Sequence, residues 1–147
     1  MYKTSVTLEN DFRTTMQARQ HLWYSDMPLE DGGTDTAPNP EEGLLGFLGS
    51  CMAMTAQLYA NRKGWPLERV EVTLDLQRFN GIDYAGYDGE AKFIHEIRES
   101  IVFYGSLDDE QRARLLEIAG KCPVRRILTS PTFFVELPLE PETTLTE

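Results

Sequence analysis

The sequence predicts an α+β protein, on three observations. β-Favouring residues crowd the N-terminal stretches Tyr2 to Leu8 and His21 to Tyr24. Val70, Val72, Leu74 and Leu76 alternate with Glu71, Thr73, Asp75 and Gln77, the period of a half-buried strand. A long apolar stretch between them carries both start and stop signals of a helix. Strands and helices that are segregated rather than regularly alternating belong to the α+β class.

Residues 1–24 are expected to form two strands around a turn at Glu9-Asn10-Asp11. Ser25 to Asn39 contains Gly32-Gly33 and Pro38-Asn39-Pro40 and reads as a loop. Asn39 is a good N-cap, Pro40 suits the first helical position, and Glu41 and Glu42 face the positive end of the helix dipole. The helix is expected to run to about Lys63, stopped by Gly64 with Pro66 beyond. After the Val70–Leu76 strand, Asn80 to Glu90 is a Gly-rich turn region and Ala91 to Tyr104 a long strand. Ser106 and Asp109 offer a capping box for a helix through Gly120 with Leu115, Ile118 and Ala119 inward. Cys122-Pro123 opens a short helical turn, and Thr132 to Leu137 reads as a last strand. All of 1–147 is read as one domain, with a mobile tail beyond about residue 138.

Fourteen basic residues stand against 24 acidic ones, a net charge of −10. A phosphate backbone rewards clustered Lys and Arg, so this balance argues against nucleic acid and disfavours an anionic membrane surface. The N-terminus has no apolar core of signal-peptide length, which suits a soluble cytoplasmic protein. The most apolar stretch, Leu44 to Ala60, contains Ser50, Thr55 and Gln57 and is short of the roughly 20 residues that span a bilayer. It is expected to be a core helix.

Two cysteines, Cys51 and Cys122, are too few for a disulfide framework and leave packed thiols, a metal site or redox chemistry. At 100° per residue, Cys51 shares a helix face with Leu44, Leu48, Thr55 and Leu58, which reads as an apolar stripe. Gly46, Ser50, Ala53, Ala56 and Ala60 form a second ridge of small residues. A glycine inside a helix costs about 1 kcal/mol relative to alanine. Gly43, Gly46 and Gly49 therefore suggest close approach of another backbone, and a homodimer with paired central helices is expected. Cys122 precedes Pro123 and so falls at an N-cap, where free amides and Lys121, Arg125 and Arg126 favour a thiolate. His21 and His95 are the only histidines; His95 shares a strand face with Ile97 and Phe103 and is expected to be a core histidine. Two Cys and two His without short paired spacing argue against a metal site.

Asn39-Pro40-Glu41-Glu42 followed by Gly49-Ser50-Cys51-Met52-Ala53-Met54-Thr55 resembles the helix of the OsmC/Ohr family, the osmotically inducible and organic hydroperoxide resistance proteins. Asn61-Arg62-Lys63-Gly64-Trp65-Pro66-Leu67-Glu68 resembles that family's helix exit, and Gly105 through Val124 its second-cysteine region. The resemblance implies an OsmC-like fold, with antiparallel sheets and a long central helix in an intertwined homodimer. It implies a two-cysteine peroxidase acting on organic hydroperoxides in an oxidative stress response. Cys51 would be the attacking thiolate and Cys122 the resolving thiol, with a lipoyl-type dithiol as reductant and no metal, flavin or haem.

The family also holds its thiolate with an arginine and that arginine with a glutamate. Glu41 matches the glutamate by motif. Ten residues of helix span about 15 Å, so Glu41 can approach a Cys51 only from a partner subunit or if the helix starts late. The N-terminal segment lacks Gly-Arg-Asp-Gly; Ala18-Arg19-Gln20-His21 makes Arg19 the candidate, with Arg78 or Arg98 as substitutes. Arg125 stands where the resembling branch has histidine. The rival expectation is a catalytically weak or inactive dimeric stress-response or ligand-binding protein on the same fold.

Overall fold

The computed structural model describes residues 2–136; the expected mobile tail and Leu137 lie outside them. Strands β1 (Ser5–Leu8), β2 (Thr14–Ala18) and β3 (His21–Ser25) form one antiparallel sheet in the order β1-β2-β3. Two strands were expected in this region. The third arises because Arg19 adopts a φ of 55°, so the chain reverses within Arg19-Gln20 and Ala18 pairs directly with His21. A non-glycine residue in the left-handed region is uncommon, and no Gly or Asn marks this turn in the sequence.

The loop that follows is pinned by one carboxylate. Asp26 is buried and accepts from the Met27 amide at 2.8 Å, the Thr36 amide at 3.1 Å and the hydroxyls of Thr34 and Thr36 at 2.5 and 2.9 Å. The Thr34 hydroxyl first, and the Thr36 amide second, hold this carboxyl well below the usual carboxylate range. The Asp26 amide and the Ser25 hydroxyl both donate to the Pro38 carbonyl, which fixes where the helix begins.

Helix α1 spans Pro40–Lys63. Asn39 accepts from the Glu42 amide while Glu42 accepts from the Asn39 amide, each at 2.9 Å, a closed capping box. Gly64 ends the helix at a φ of 65°. By length and composition α1 is apolar enough to cross a membrane, yet it packs on β4 and on helices α2 and α3.

Strands β4 (Arg69–Asn80) and β5 (Phe93–Tyr104) pair antiparallel over their full length. One face of this ribbon carries Val70, Val72, Leu74 and Leu76 opposite Phe103, Ile101, Glu99 and Ile97. Gly49 of α1 rests on this face, with Val72 and Leu74 carbons 3.5 Å from where its Cβ would stand. His95 lies on the same face, opposite Arg78, but it is exposed and not a core histidine, because it sits beyond the apolar rows.

Gly105 turns the chain from β5 towards α2 (Asp109–Ala119) at a φ of 128°, and a Cβ there would stand 2.0 Å from the Pro66 carbonyl oxygen. The capping box of α2 is formed by Asp108 and Gln111, not by Ser106 and Asp109. Leu115 and Ala119 are buried as expected, whereas Ile118 is half-buried. Helix α3 (Pro123–Thr129) follows, and residues 132–136 carry no strand, contrary to expectation.

The core consists of Leu48, Met52, Ala56 and Ala60 of α1 with Leu67, Phe103, Leu107, Leu115, Ala119 and Cys122. The buried stripe of α1 is therefore Leu48–Met52–Ala56–Ala60, displaced by one position from the expected Leu44–Leu48–Cys51–Thr55–Leu58. Leu44 and Leu58 are 41% and 53% exposed, because β4 and α2 cover the neighbouring face.

Candidate thiol site

The fold brings the two cysteines together from distant parts of the chain. Cys51 lies midway along α1, beside the buried stripe and half-buried. Cys122 is the N-cap of α3 and has no solvent exposure. Both are free thiols, and Cys51 lies near enough to Cys122 to help push its thiol up.

The setting of Cys122 is a contest between two effects. The Arg125 amide donates to its sulfur at 3.4 Å, which favours the thiolate as an N-cap should. Burial works the other way and is stronger, and the Cys51 sulfur alongside adds to it, so the thiol is pushed up. Sequence reasoning placed Cys122 at the N-cap correctly and expected a stabilised thiolate there. Burial there opposes the thiolate that the N-cap amide favours.

Arg125 contributes its side chain as well as its amide. Its guanidinium donates to Glu99 at 2.5 Å and passes over the C-cap of α2, where a Cβ on Gly120 would stand 3.9 Å from Nη1. The Glu99 bond first, and the nearby Cys122 sulfur in smaller part, hold the guanidinium more firmly in its charged form. Glu99 was not singled out from the sequence. Its signal was its position in the inward row Ile97–Glu99–Ile101–Phe103, where a carboxylate interrupts apolar residues; a polar side chain in such a row calls for a partner.

The other candidate residues lie elsewhere in the chain. Arg19 is exposed in the β2–β3 turn. Arg78 stacks on Phe93 with its guanidinium 4.8 Å from the ring, and Arg98 pairs with Glu96 at 2.5 Å. Glu41 is exposed in the first turn of α1. The helix begins at Pro40 without delay, so a late start cannot bring Glu41 to Cys51 of its own chain. Among the described residues, no group of three or more His, Cys, Asp and Glu side chains could hold a metal ion.

A paired thiol site of this kind, one sulfur accessible and one buried near it, holds the two groups that thiol–disulfide exchange requires. The model of the OsmC-like protein family matches residues 33–136, a stretch that includes both cysteines, Arg125 and Glu99. Among curated proteins none matches the sequence. An OsmC-like protein from Mycoplasma pneumoniae is similar in structure, with a TM-score of 0.68 and 20% identity over 87% of this chain and 86% of that one. An organic hydroperoxide resistance protein OsmC from Legionella pneumophila gives a TM-score of 0.62 and 19% identity over 88% and 89% of the two chains. An OsmC-like protein of unknown function from Vibrio cholerae gives 0.64 and 14% over 86% and 92%. At these identities the likeness is one of fold.

Proposed function

Because the chain belongs to the OsmC-like protein family, we propose that it reduces organic hydroperoxides to alcohols with Cys51 and Cys122 as its redox pair. The observation that carries this reading is the nearness of the two thiols, with Cys51 half-buried and Cys122 fully buried. A Cys51 thiolate attacks the outer peroxide oxygen, the O–O bond breaks, and the alkoxide leaves as alcohol after taking a proton. The Cys51 sulfenic acid then condenses with Cys122, forming the disulfide and releasing water. A dithiol of lipoyl type restores the pair by exchange.

The reading includes a cytoplasmic homodimer. The chain exposes 12050 Å², whereas a compact monomer of 16.8 kDa exposes about 7,700 Å². Phe47, Met54 and Leu58 on α1 and Val6 and Leu22 on the N-terminal sheet are all more than half exposed, the mark of an unpaired interface. Gly43 and Gly46 face open space, and a groove of about 390 Å³ runs between α1 and β4 past Gly46, Gly49 and Ser50. A second α1 entering there gives those glycines their purpose. In such a dimer the partner's Glu41 and Arg19 are the candidates to hold the Cys51 thiolate.

Reduced protein is expected to consume cumene hydroperoxide in the presence of a dithiol, and Cys51→Ser to stop consumption. Undiminished turnover in that variant would overturn the assignment. The second reading, a dimeric stress-response or ligand-binding protein without turnover, is favoured by one observation. Within the chain Arg19, Arg78 and Arg98 all lie away from Cys51, exposed or engaged elsewhere.

A further inference from the structure

Glu99 occupies a place that strand chemistry would give to an apolar residue. Its neighbours on the helix-facing row of β5 are Ile97 and Ile101, and its cross-strand partner is Leu74. Glu99 stays exposed at this position, and its side chain pairs with Arg125 at 2.5 Å, both side chains being about one-third exposed. The pair anchors the guanidinium above Gly120, while the amide of the same Arg125 donates to the Cys122 sulfur at 3.4 Å.

The other charges around Cys122 are spoken for. Lys121 is bound to Glu117 on α2, and Arg126 donates to the Lys121 carbonyl at 3.4 Å. From α1 the group near the sulfur is Cys51 and from α3 it is Arg125, whose guanidinium is bound by Glu99 of β5. Among the described residues, Arg125 is the cation whose amide binds the buried sulfur and whose side chain is held by a strand.

We propose that the guanidinium of Arg125, held by Glu99, is a positioning residue that stabilises Cys122 as a thiolate whenever that sulfur attacks Cys51 or is expelled from it. This rests on the reading of Cys51 and Cys122 as an exchanging pair, but it concerns the disulfide chemistry and does not depend on the oxidant. In the forward direction the Cys122 thiolate attacks the sulfur of the Cys51 sulfenic acid, the S–S bond forms, the S–O bond breaks and hydroxide takes a proton to become water. In the reverse direction a reductant thiolate attacks the Cys51 sulfur, the S–S bond breaks, and the electron pair goes to Cys122. In both, negative charge sits on Cys122, where burial opposes it. Glu99 aims the guanidinium and also mutes it, so the two residues have opposite effects on the sulfur.

The experiment oxidises the full-length protein with diamide, without peroxide, and follows reduction of the Cys51–Cys122 disulfide by dithiothreitol at fixed pH, by quenched alkylation and intact mass. Arg125→Met is expected to slow reduction by about threefold or more, since an adjacent opposite charge moves a pKa by about one unit or more and a better leaving thiol leaves faster. Glu99→Gln is expected to speed it, and Arg125→Lys to restore much of the wild-type rate and its pH profile. Thermal melting of each variant accompanies the rates, because a purely structural ion pair would make both Arg125→Met and Glu99→Gln less stable without driving reduction in opposite directions. Equal rates in all four proteins, or changes in the same direction for Arg125→Met and Glu99→Gln, would overturn the proposal. If reduction follows the expected order while cumene hydroperoxide is not consumed, the peroxidase reading fails and the role of Arg125 stands.

Discussion

Cys51 and Cys122 lie near one another as free thiols, one half-buried and the other without solvent exposure. The asymmetry assigns the sulfurs different access to reagents. Iodoacetamide is expected to label Cys51 well before Cys122 in the native protein, and labelling is expected to equalise in denaturant. In Cys122→Ser, one equivalent of hydroperoxide is expected to leave a Cys51 sulfenic acid that dimedone captures, read as an added mass on the Cys51 peptide. Capture equal to that in the wild-type protein would show that Cys122 does not resolve the intermediate.

Asp26 makes stability depend on pH in a predictable direction. Its folded-state pKa is depressed from 3.8, so its contribution is present above that value and is lost as pH falls below it towards the folded pKa. Asp26→Asn is expected to lower the melting temperature by several degrees at pH 7. The gap between variant and wild type is expected to narrow below about pH 4. A gap that stays constant from pH 7 to pH 3 would show that the carboxylate charge contributes nothing.

Gly105 is expected to tolerate no side chain. At a φ of 128° and with a Cβ only 2.0 Å from the Pro66 carbonyl oxygen, Gly105→Ala combines backbone strain with a clash against backbone. A loss of at least about 2 kcal/mol is expected in chemical denaturation, with the β5–α2 junction displaced.

The glycines of α1 divide into two kinds. Gly49→Ala meets Val72 and Leu74 at 3.5 Å, ordinary contact, so it is expected to be neutral or stabilising by up to about 1 kcal/mol. Gly46 faces open space within the chain. Gly46→Leu is expected to leave an isolated chain folded but to weaken a dimer whose helices meet there, read by sedentation-free size measurement such as light scattering. An unchanged dimer would place the interface elsewhere.

Local signals in the sequence were enough for α1, because its ends are set by residues that act within one turn: Asn39 and Pro40 at the start, Gly64 at the stop. The β4 ribbon was legible for a similar reason, since its alternation is written in consecutive residues. What escaped reading depended on other parts of the chain. Two overlapping capping boxes, Ser106 with Asp109 and Asp108 with Gln111, satisfy the same pattern, and only the path set by Gly105 selects the second. His95 was assigned to the correct face, but burial requires something to cover that face, and nothing along one strand reports where the helix layer ends. The contact between Cys51 and Cys122 was accessible only through family resemblance. The Glu99–Arg125 pair joins a strand to a helix far along the chain, and its trace was one carboxylate out of pattern.

The N-terminal sheet has a consequence for how the molecule assembles in time. All four residues of β1 are exposed, and of the fourteen residues in β1, β2 and β3 only Ser25 is buried. A small sheet without a covered apolar face is marginal in water, whereas α1, β4 and β5 close a core of their own. The two regions should therefore acquire hydrogen-exchange protection at different moments during refolding. Protection of α1 and β5 would proceed at a rate independent of protein concentration. In the proposed dimer, that of β2 and β3 would wait for the encounter of two chains and quicken as the solution becomes more concentrated.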